Sequence, residues 1–245
     1  MTSNRIPQAH NHHHLALGTD LDTGEAVTLD LDQHPHLLTA GWTGGGVSSL
    51  LCRLAAQALV DGTTVTVIDP KQTSFENLDG LPGLTIGRSP AEIAEEIRLF
   101  HAEMMRRHTS GEQGPRRLLV ADELTQMRAR INGGGHAELD AAVRLLRPIV
   151  LAGHSVGCHL ALDADLEALR WFGLGDRDVL NKVATVVMGR PSRQLLSRLG
   201  IDPALISAER GTGVLRLPGD KGRRLAIGYL ADAELRALAL GVIHS

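Results

Sequence analysis

Residues 41–48, GWTGGGVS, have the spacing of the GxxxxGK(S/T) loop that holds phosphate groups, except that Val47 replaces the lysine. Glycines let successive backbone N–H groups converge on an anion, and a helix that starts at the end of the loop adds the positive end of its dipole. We therefore predict a phosphate site here; a glycine-rich turn that only joins a strand to a helix is the alternative. The predicted contacts are Gly41, Thr43, Gly44, Gly45, Gly46, Val47, Ser48 and Ser49.

The missing lysine predicts that catalysis is weakened more than binding. In such loops the lysine contacts the β- and γ-phosphates, and a charge-assisted hydrogen bond of this kind contributes about 1.5–3 kcal/mol. Losing one transition-state stabiliser typically lowers a rate by roughly 10²–10³-fold. Lys71, in the stretch VIDPKQ, is the best candidate for a replacement cation, because ligands of open α/β sheets gather at the carboxyl ends of the strands. A solvated loop lysine or a surface ion pair is the alternative.

A second motif, LLVADE, is an apolar strand that ends in two adjacent acids. Asp122 is predicted to hold Mg²⁺ together with the Ser48 hydroxyl, and Glu123 to polarise an attacking water. Acids also end strands as solvated residues or helix caps, so this motif alone is a weak signal. Its position about 75 residues after the glycine loop strengthens it.

The elements around these motifs alternate between strands and helices. A helix is predicted from Ser48 to Gly62, then the strand TVTVID, and then a helix that opens with the capping box SPAE at residues 89–92. RLLVADE, CHLALDA and ATVVMG are predicted strands, and AELDAAVRLLRPIVLAG a helix that Pro148 kinks or ends. Hairpins are predicted around DTGE and PGDKG. This order predicts an α/β fold with a doubly wound, mostly parallel sheet and an N-terminal hairpin.

The composition of the 245 residues is that of a folded, soluble protein, with 43% hydrophobic residues and a net charge of −3. We predict a disordered, His-rich tail over residues 1–16 and a single domain over 17–245. No apolar run is long enough to cross a bilayer, and the start does not resemble a signal peptide, so a cytoplasmic location is expected. Cys52 and Cys158 are expected to be buried, reduced thiols. Aromatic residues make up only 2%, which disfavours stacking on single-stranded nucleic acid.

With these motifs placed in order, the chain resembles the motor domain of the FtsK/SpoIIIE family of DNA translocases from about Leu17 onward. PHLLTAGWTGGGVSSLL is similar to that family's PHLLVAGATGSGKSVLL, and LLVADELTQM to its VVVIDELADLM. AGHSVGCHLAL is similar to its RAVGIHLVLATQRP, and IDPKQTSFENLDGLPGL to its DPK…LPHL segment. The resemblance implies a RecA-like P-loop NTPase fold, ATP and Mg²⁺ as cofactors, double-stranded DNA as partner, and a homo-oligomeric, hexameric ring.

The resemblance also assigns expected roles to single residues. It implies that Ser48 and Asp122 occupy the magnesium positions and Glu123 the water-polarising position. Asp165 stands where the family has a glutamine that senses the terminal phosphate, so this position departs from the family pattern. Arg210, in ERGTG, matches a family arginine near a subunit boundary; a role in the neighbouring subunit and a role within its own domain both remain open.

Three functions are compatible with this pattern. The first is a DNA-translocating ATPase module on double-stranded DNA whose ATP hydrolysis is weak or lost because of Val47. The second is a non-hydrolysing adaptor, or a passive subunit in a ring with an active homologue, in a DNA transfer or secretion assembly. The third is a dinucleotide-binding or small-molecule domain, which the consecutive glycines at 44–46 disfavour because they lack GxGxxG spacing.

Overall fold

The computed structural model describes residues 14–42, 44–132 and 136–242 of the chain. Within these ranges no helix is long and apolar enough to cross a membrane. The strands are β1 His14–Asp20, β2 Ala26–Asp30, β3 His36–Gly41, β4 Thr64–Ile68, β5 Leu84–Gly87, β6 Arg117–Ala121, β7 Cys158–Asp163, β8 Val183–Met188, β9 Thr212–Arg216 and β10 Arg223–Ala226. The α-helices are α1 Val47–Val60, α2 Pro90–Ser110, α3 Leu124–Asn132, α4 Ala137–Val143, α5 Leu146–Ala152, α6 Leu166–Trp171, α7 Arg177–Leu180, α8 Arg193–Leu199 and α9 Asp232–Ala239.

The described strands form one ten-stranded sheet in the order β2-β1-β10-β9-β8-β3-β7-β6-β4-β5. The strands from β8 to β5 in this order are parallel, whereas β9, β10, β1 and β2 pair antiparallel at one side. The predicted mostly parallel α/β sheet with an N-terminal hairpin is therefore confirmed. The glycine loop follows β3 and the acidic motif follows β6, with β7 between these two strands.

Helices cover both faces of the sheet because alternate residues of the central strands point to opposite sides. In β6, Leu118 and Val120 pack in the core that contains α1 and α9, whereas Leu119 and Ala121 pack in the core that contains α2, α4, α5 and α8. This doubly wound arrangement leaves the carboxyl ends of the parallel strands as an edge at which loops meet.

The predicted helix starts are confirmed in detail at α2. The Ser89 hydroxyl accepts a hydrogen bond from the Glu92 N–H, and the Glu92 carboxylate accepts one from the Ser89 N–H. The helix predicted over AELDAAVRLLRPIVLAG is broken, but at Arg144 and Leu145 rather than at Pro148. In a continuous helix the ring of Pro148 would clash with the carbonyl of Arg144, four residues earlier. Pro148 is tolerated where it stands, in the first turn of α5.

The N-terminal strand starts earlier than the sequence predicted. β1 begins at His14, so residues 14–16 belong to the sheet instead of the tail. Of the His cluster, His10, His12 and His13 lie outside the described residues. The division of the chain into a tail and one domain otherwise stays a prediction. Cys52 and Cys158 are free and buried, as predicted.

Candidate functional site

The glycine loop forms an open turn between β3, which ends at Gly41, and α1, which begins at Val47. Gly44 and Gly46 adopt left-handed backbone conformations, with φ of 82° and 100°, that residues with a side chain rarely adopt. The Gly45 N–H donates to the Trp42 carbonyl over 2.8 Å, so this amide holds the loop together and does not face an anion. Thr43, a predicted contact, lies outside the described residues.

A cleft of about 420 Å³ opens above the loop. Eight of the predicted site residues line it: Gly41, Gly44, Gly46, Val47, Ser48, Ser49, Lys71 and Glu123. Trp42 also lines it, and the Arg190 guanidinium lies 5.9 Å from the centre of the Trp42 ring. The structure therefore brings together residues that the sequence places up to about 80 positions apart.

Val47 lies at the floor of this cleft and does not fill it. Its side chain is 7% exposed and packs in the core on the α1 side of the sheet. A Cβ added to Gly41 would lie 2.6 Å from Val47 Cγ2, so the close approach of the valine requires glycine at position 41. The space above the loop stays open, but no loop cation reaches into it from position 47.

Asp122 is buried behind the loop, with a relative exposure of 1%. Both of its carboxylate oxygens lack a hydrogen-bond partner of good geometry among the described residues. Burial raises the pKa of Asp122 above its usual range, and the nearby hydroxyls of Ser74 and Ser48 partly oppose that rise. A buried carboxylate without a partner of good geometry, near a serine hydroxyl, suits a divalent cation, because hard cations prefer oxygen ligands. Ser48 and Asp122 thus fit the magnesium positions that the sequence predicted.

Glu123 follows directly, in a backbone conformation that is uncommon for a residue with a side chain, with φ of 48°. Such conformations cluster at functional sites, where the surrounding structure holds them in place. The Glu123 carboxylate forms an ion pair with the Lys71 ammonium group at the cleft edge. Lys71 therefore reaches the site as predicted, but its charge is already engaged by the acid next to Asp122.

Two further acids, at the end of β7, face the same cleft. Asp163, which the sequence interpretation missed, lines the cleft, and its pKa is raised to about 8 by burial and then by the Asp122 and Glu123 carboxylates. Asp165 also lines the cleft, and its carboxylate accepts a hydrogen bond from the Ala168 N–H over 2.8 Å at the start of α6. The carboxyl ends of adjacent parallel strands meet at one edge of the sheet. The position of Asp163 at the end of the strand HLALD could therefore have predicted that it lies at the site.

Arg210 lies on the other side of the loop, close to Gly44 of its own chain. Its Nη2 is 3.9 Å from the position that a Cβ would take on Gly44. Both roles that the sequence left open for this residue, in its own domain and in a neighbouring subunit, stay predictions.

Comparisons with known proteins agree with this geometry. A profile of the FtsK/SpoIIIE family matches residues 2–189. The chain belongs to the FtsK/SpoIIIE family. The DNA translocase FtsK of Listeria monocytogenes is 33% identical over 100 residues, which are 38% of this chain and 13% of that protein. The DNA translocase FtsK of Staphylococcus aureus is 31% identical over 100 residues, again 38% of this chain and 13% of that protein.

Solved structures share the fold of this FtsK/SpoIIIE-family domain. The monomer form of the pCW3 conjugation coupling protein TcpA, solved with ATPγS, superposes with a TM-score of 0.75 at 16% identity, covering 99% of this chain and 75% of that chain. The type VII secretion ATPase EccC of Thermomonospora curvata gives a TM-score of 0.69 at 18% identity, covering 94% of this chain and 28% of that chain. The chain is therefore a domain of the FtsK/SpoIIIE family whose fold is shared by a conjugation coupling protein and a secretion ATPase.

Proposed function

We propose that this FtsK/SpoIIIE-family domain binds Mg²⁺ and ATP in the cleft above the glycine loop, acts on double-stranded DNA, and hydrolyses ATP weakly or not at all. The observation that carries the proposal is the buried carboxylate of Asp122, which has no partner of good geometry and lies near Ser48, a residue that lines the open cleft. Holding such a group costs free energy unless a cation neutralises it. Ser48 and Asp122 would hold a magnesium ion there, and the ion would neutralise charge on the phosphate oxygens of the nucleotide.

The weak hydrolysis follows from the charges around the cleft. Val47 removes the cation that normally stabilises the leaving phosphate, and the Glu123 carboxylate is engaged by Lys71. Asp163 and Asp165 line the cleft as well, and carboxylates facing a triphosphate repel it when they are ionised. These features support slow turnover while the loop and the Ser48–Asp122 pair support binding.

Double-stranded DNA is proposed as the partner because the curated relatives are named DNA translocases. The 2% aromatic content supports duplex over single strands, since few rings are present to stack on unpaired bases. A homo-oligomeric ring, with six subunits by analogy with the family, is part of the same proposal. It also includes a place in the cytoplasm.

Calorimetric titration with Mg²⁺ and ATP tests the binding site. Asp122→Asn is expected to weaken Mg·ATP binding at least tenfold, because a neutral amide is a poor magnesium ligand. The same variant is expected to raise the melting temperature in EDTA, since it removes an unpaired buried charge. Glu138→Gln, an exposed acid on α4, is the control and leaves both quantities unchanged. Absence of binding heat from the wild type would reject the proposed site.

Phosphate release in the presence of duplex DNA tests the turnover. The expected rate is low, yet above that of Glu123→Gln if any hydrolysis is retained. A fast, DNA-stimulated rate in the wild type would show that the missing lysine is fully compensated and that weak hydrolysis is the wrong conclusion.

A second candidate function is a passive ring subunit or adaptor that binds ATP without hydrolysing it. The Lys71–Glu123 ion pair favours it, because the acid that would polarise water is held by a cation. A rate equal to that of Glu123→Gln, combined with measurable Mg·ATP binding, would select this candidate.

A further inference from the structure

The sheet places opposite charges on the two sides of the glycine loop. β3 carries the loop, and its neighbour β7 ends in Asp163, with Asp122 after the next strand, β6. On the other side, β8 is followed by Arg190, and β9 is preceded by Arg210. The glycine loop therefore has acids on one side, of which Asp163 lines the cleft, and arginines on the other, next to the loop residues Trp42 and Gly44.

The position of Arg210 follows from strand register. Gly41 pairs with Met188 in β8, and Met188 pairs with Gly213 in β9. Since β9 runs antiparallel to β8, the residues just before β9 lie beyond the same sheet edge as the glycine loop. Arg210 is three positions before Gly213 and is thereby brought next to Gly44.

Local hydrogen bonds fix the turn that carries this arginine. The Thr212 hydroxyl donates to the Glu209 carbonyl over 2.7 Å, and the Ile227 N–H donates to the Gly211 carbonyl over 2.6 Å. Gly211 takes a left-handed conformation, with φ of 74°. The Arg210 side chain itself is exposed and makes no ion pair with any residue that the structure describes. The backbone is thus held in place while the guanidinium stays available for a ligand.

We infer that Arg210 supplies, from the same chain, the cationic contact to the triphosphate that the loop lacks at Val47. Guanidinium groups bind phosphate oxygens through paired N–H donors, so an arginine beside Gly44 is chemically suited to the task. Lys71 is less suited because Glu123 already neutralises it. The inference rests on the proposed function, since it names the residue that holds the ligand of the same cleft.

Calorimetry with Mg²⁺ and ATP on the full chain tests this role. Arg210→Gln is expected to weaken binding roughly 10- to 100-fold, the range for one charge-assisted contact to phosphate. Arg210→Lys is expected to lose less, because it keeps the charge. Arg144→Gln, at an exposed arginine that directly follows α4, is the matched control and leaves the affinity unchanged. Thermal unfolding of each variant checks that the fold is intact.

The same substitution made in the Val47→Lys variant tests whether Arg210 takes the place of the missing lysine or only adds positive charge near the cleft. In Val47→Lys, the loop cation is restored, so adding Arg210→Gln is expected to cost less than about threefold in affinity, well below its cost in the wild type. An equal loss of Mg·ATP affinity on Arg210→Gln in the wild type and in Val47→Lys would show that Arg210 does not replace the lysine. Titrations at concentrations where sedimentation shows a monomer are expected to give the same loss, and a loss confined to the assembled protein would overturn a role within one chain.

The outcomes also separate this inference from the function on which it rests. Measurable and equal affinities of the wild type and Arg210→Gln would reject the arginine contact and leave the binding site standing. No binding heat from the wild type would reject both.

Discussion

The ammonium group of Lys71, after β4, pairs with the carboxylate of Glu123, after β6, at the rim of the cleft. The two side chains are partly exposed and lie 52 positions apart in the sequence. The one lysine at this rim among the described residues is therefore held by the acid expected to polarise water. Lys71 can contact either the Glu123 carboxylate or a bound triphosphate. Triphosphate binding is therefore coupled to whether the Glu123 carboxylate is paired.

This coupling predicts opposite effects of two neutral substitutions on Mg·ATP affinity. Glu123→Gln removes a negative charge and releases Lys71, so affinity is expected to rise about two- to fivefold, the scale of a partly exposed ion pair. Lys71→Gln is expected to lower it by a similar factor. Calorimetry measures both, and the double variant is expected to lie near the wild type. Changes of the same sign in the two single variants would contradict the coupling.

The departures at Val47 and Asp165 predict that hydrolysis returns only when both are reversed. Val47→Lys alone restores a cation at the loop, but the carboxylate of Asp165 still faces the cleft, so at most a few-fold gain is expected. Val47→Lys combined with Asp165→Gln is expected to raise DNA-stimulated phosphate release at least tenfold, since removal of one transition-state stabiliser typically costs roughly 10²–10³ in rate.

Asp165 also stabilises the start of α6, so the prediction needs a control for lost stability. Its carboxylate caps α6, and loss of a cap costs about 1 kcal/mol, so melting temperatures must accompany the rates. Asp165→Asn keeps an oxygen acceptor and removes the charge, which separates the cap from the charge. A double variant as slow as Val47→Lys alone would show that another feature blocks turnover.

Asp163 predicts a pH-dependent contribution to stability. Its pKa is raised from 3.8 to about 8 in the folded protein, chiefly by burial and then by the Asp122 and Glu123 carboxylates. The folded state therefore retains a proton that the unfolded chain releases, and the stability from this group is complete below pH 3.8 and is lost as the pH rises towards 8. Asparagine resembles the protonated acid and carries no such loss.

We expect the free energy of unfolding of Asp163→Asn, relative to the wild type, to increase between pH 5 and pH 8. We expect a total increase of at least about 1 kcal/mol over this range. One titrating group can change the free energy of unfolding by at most about 1.4 kcal/mol per pH unit. Urea unfolding in EDTA at several pH values measures it without bound metal. A difference that is constant across this range would contradict the shifted pKa.

Local signals were enough to predict most elements of the fold. The capping box at Ser89 and the alternating strands and helices indicated the α/β class, because each depends on neighbouring residues. The short strand β5 and the helix α3 were missed, since LTIG is only four residues long and α3 follows the acidic motif without a capping signal of its own. The predicted break by Pro148 occurs at Arg144 and Leu145, because in a continuous helix the proline ring would clash with the carbonyl of Arg144.

The residues of the candidate site were predictable where they belong to one continuous sequence motif. They were not predictable where the order of the strands in the sheet brings them together. Ser48, Asp122 and Glu123 belong to such motifs: Ser48 and Glu123 line the cleft, and Asp122 is buried near Ser48. Asp163 and the approach of Arg210 to Gly44 depend on β7 lying beside β3 and on β9 lying beside β8. No local pattern in this one sequence specifies that order.

Substitution of Arg53 on α1, outside the candidate site, is expected to lower the free energy of unfolding substantially. The Arg53 side chain is 1% exposed and donates to the carbonyls of Leu17, Gly228 and Ala16 over 2.7, 2.7 and 3.3 Å. Arg53→Met keeps the volume but leaves these buried acceptors without their donor, so the free energy of unfolding is expected to fall by about 2–5 kcal/mol. Arg144→Met, at the exposed residue that directly follows α4, is the control, with a change below about 1 kcal/mol. Equal effects of the two substitutions in urea unfolding would show that Arg53 does not tie α1 to β1 in the way its contacts indicate.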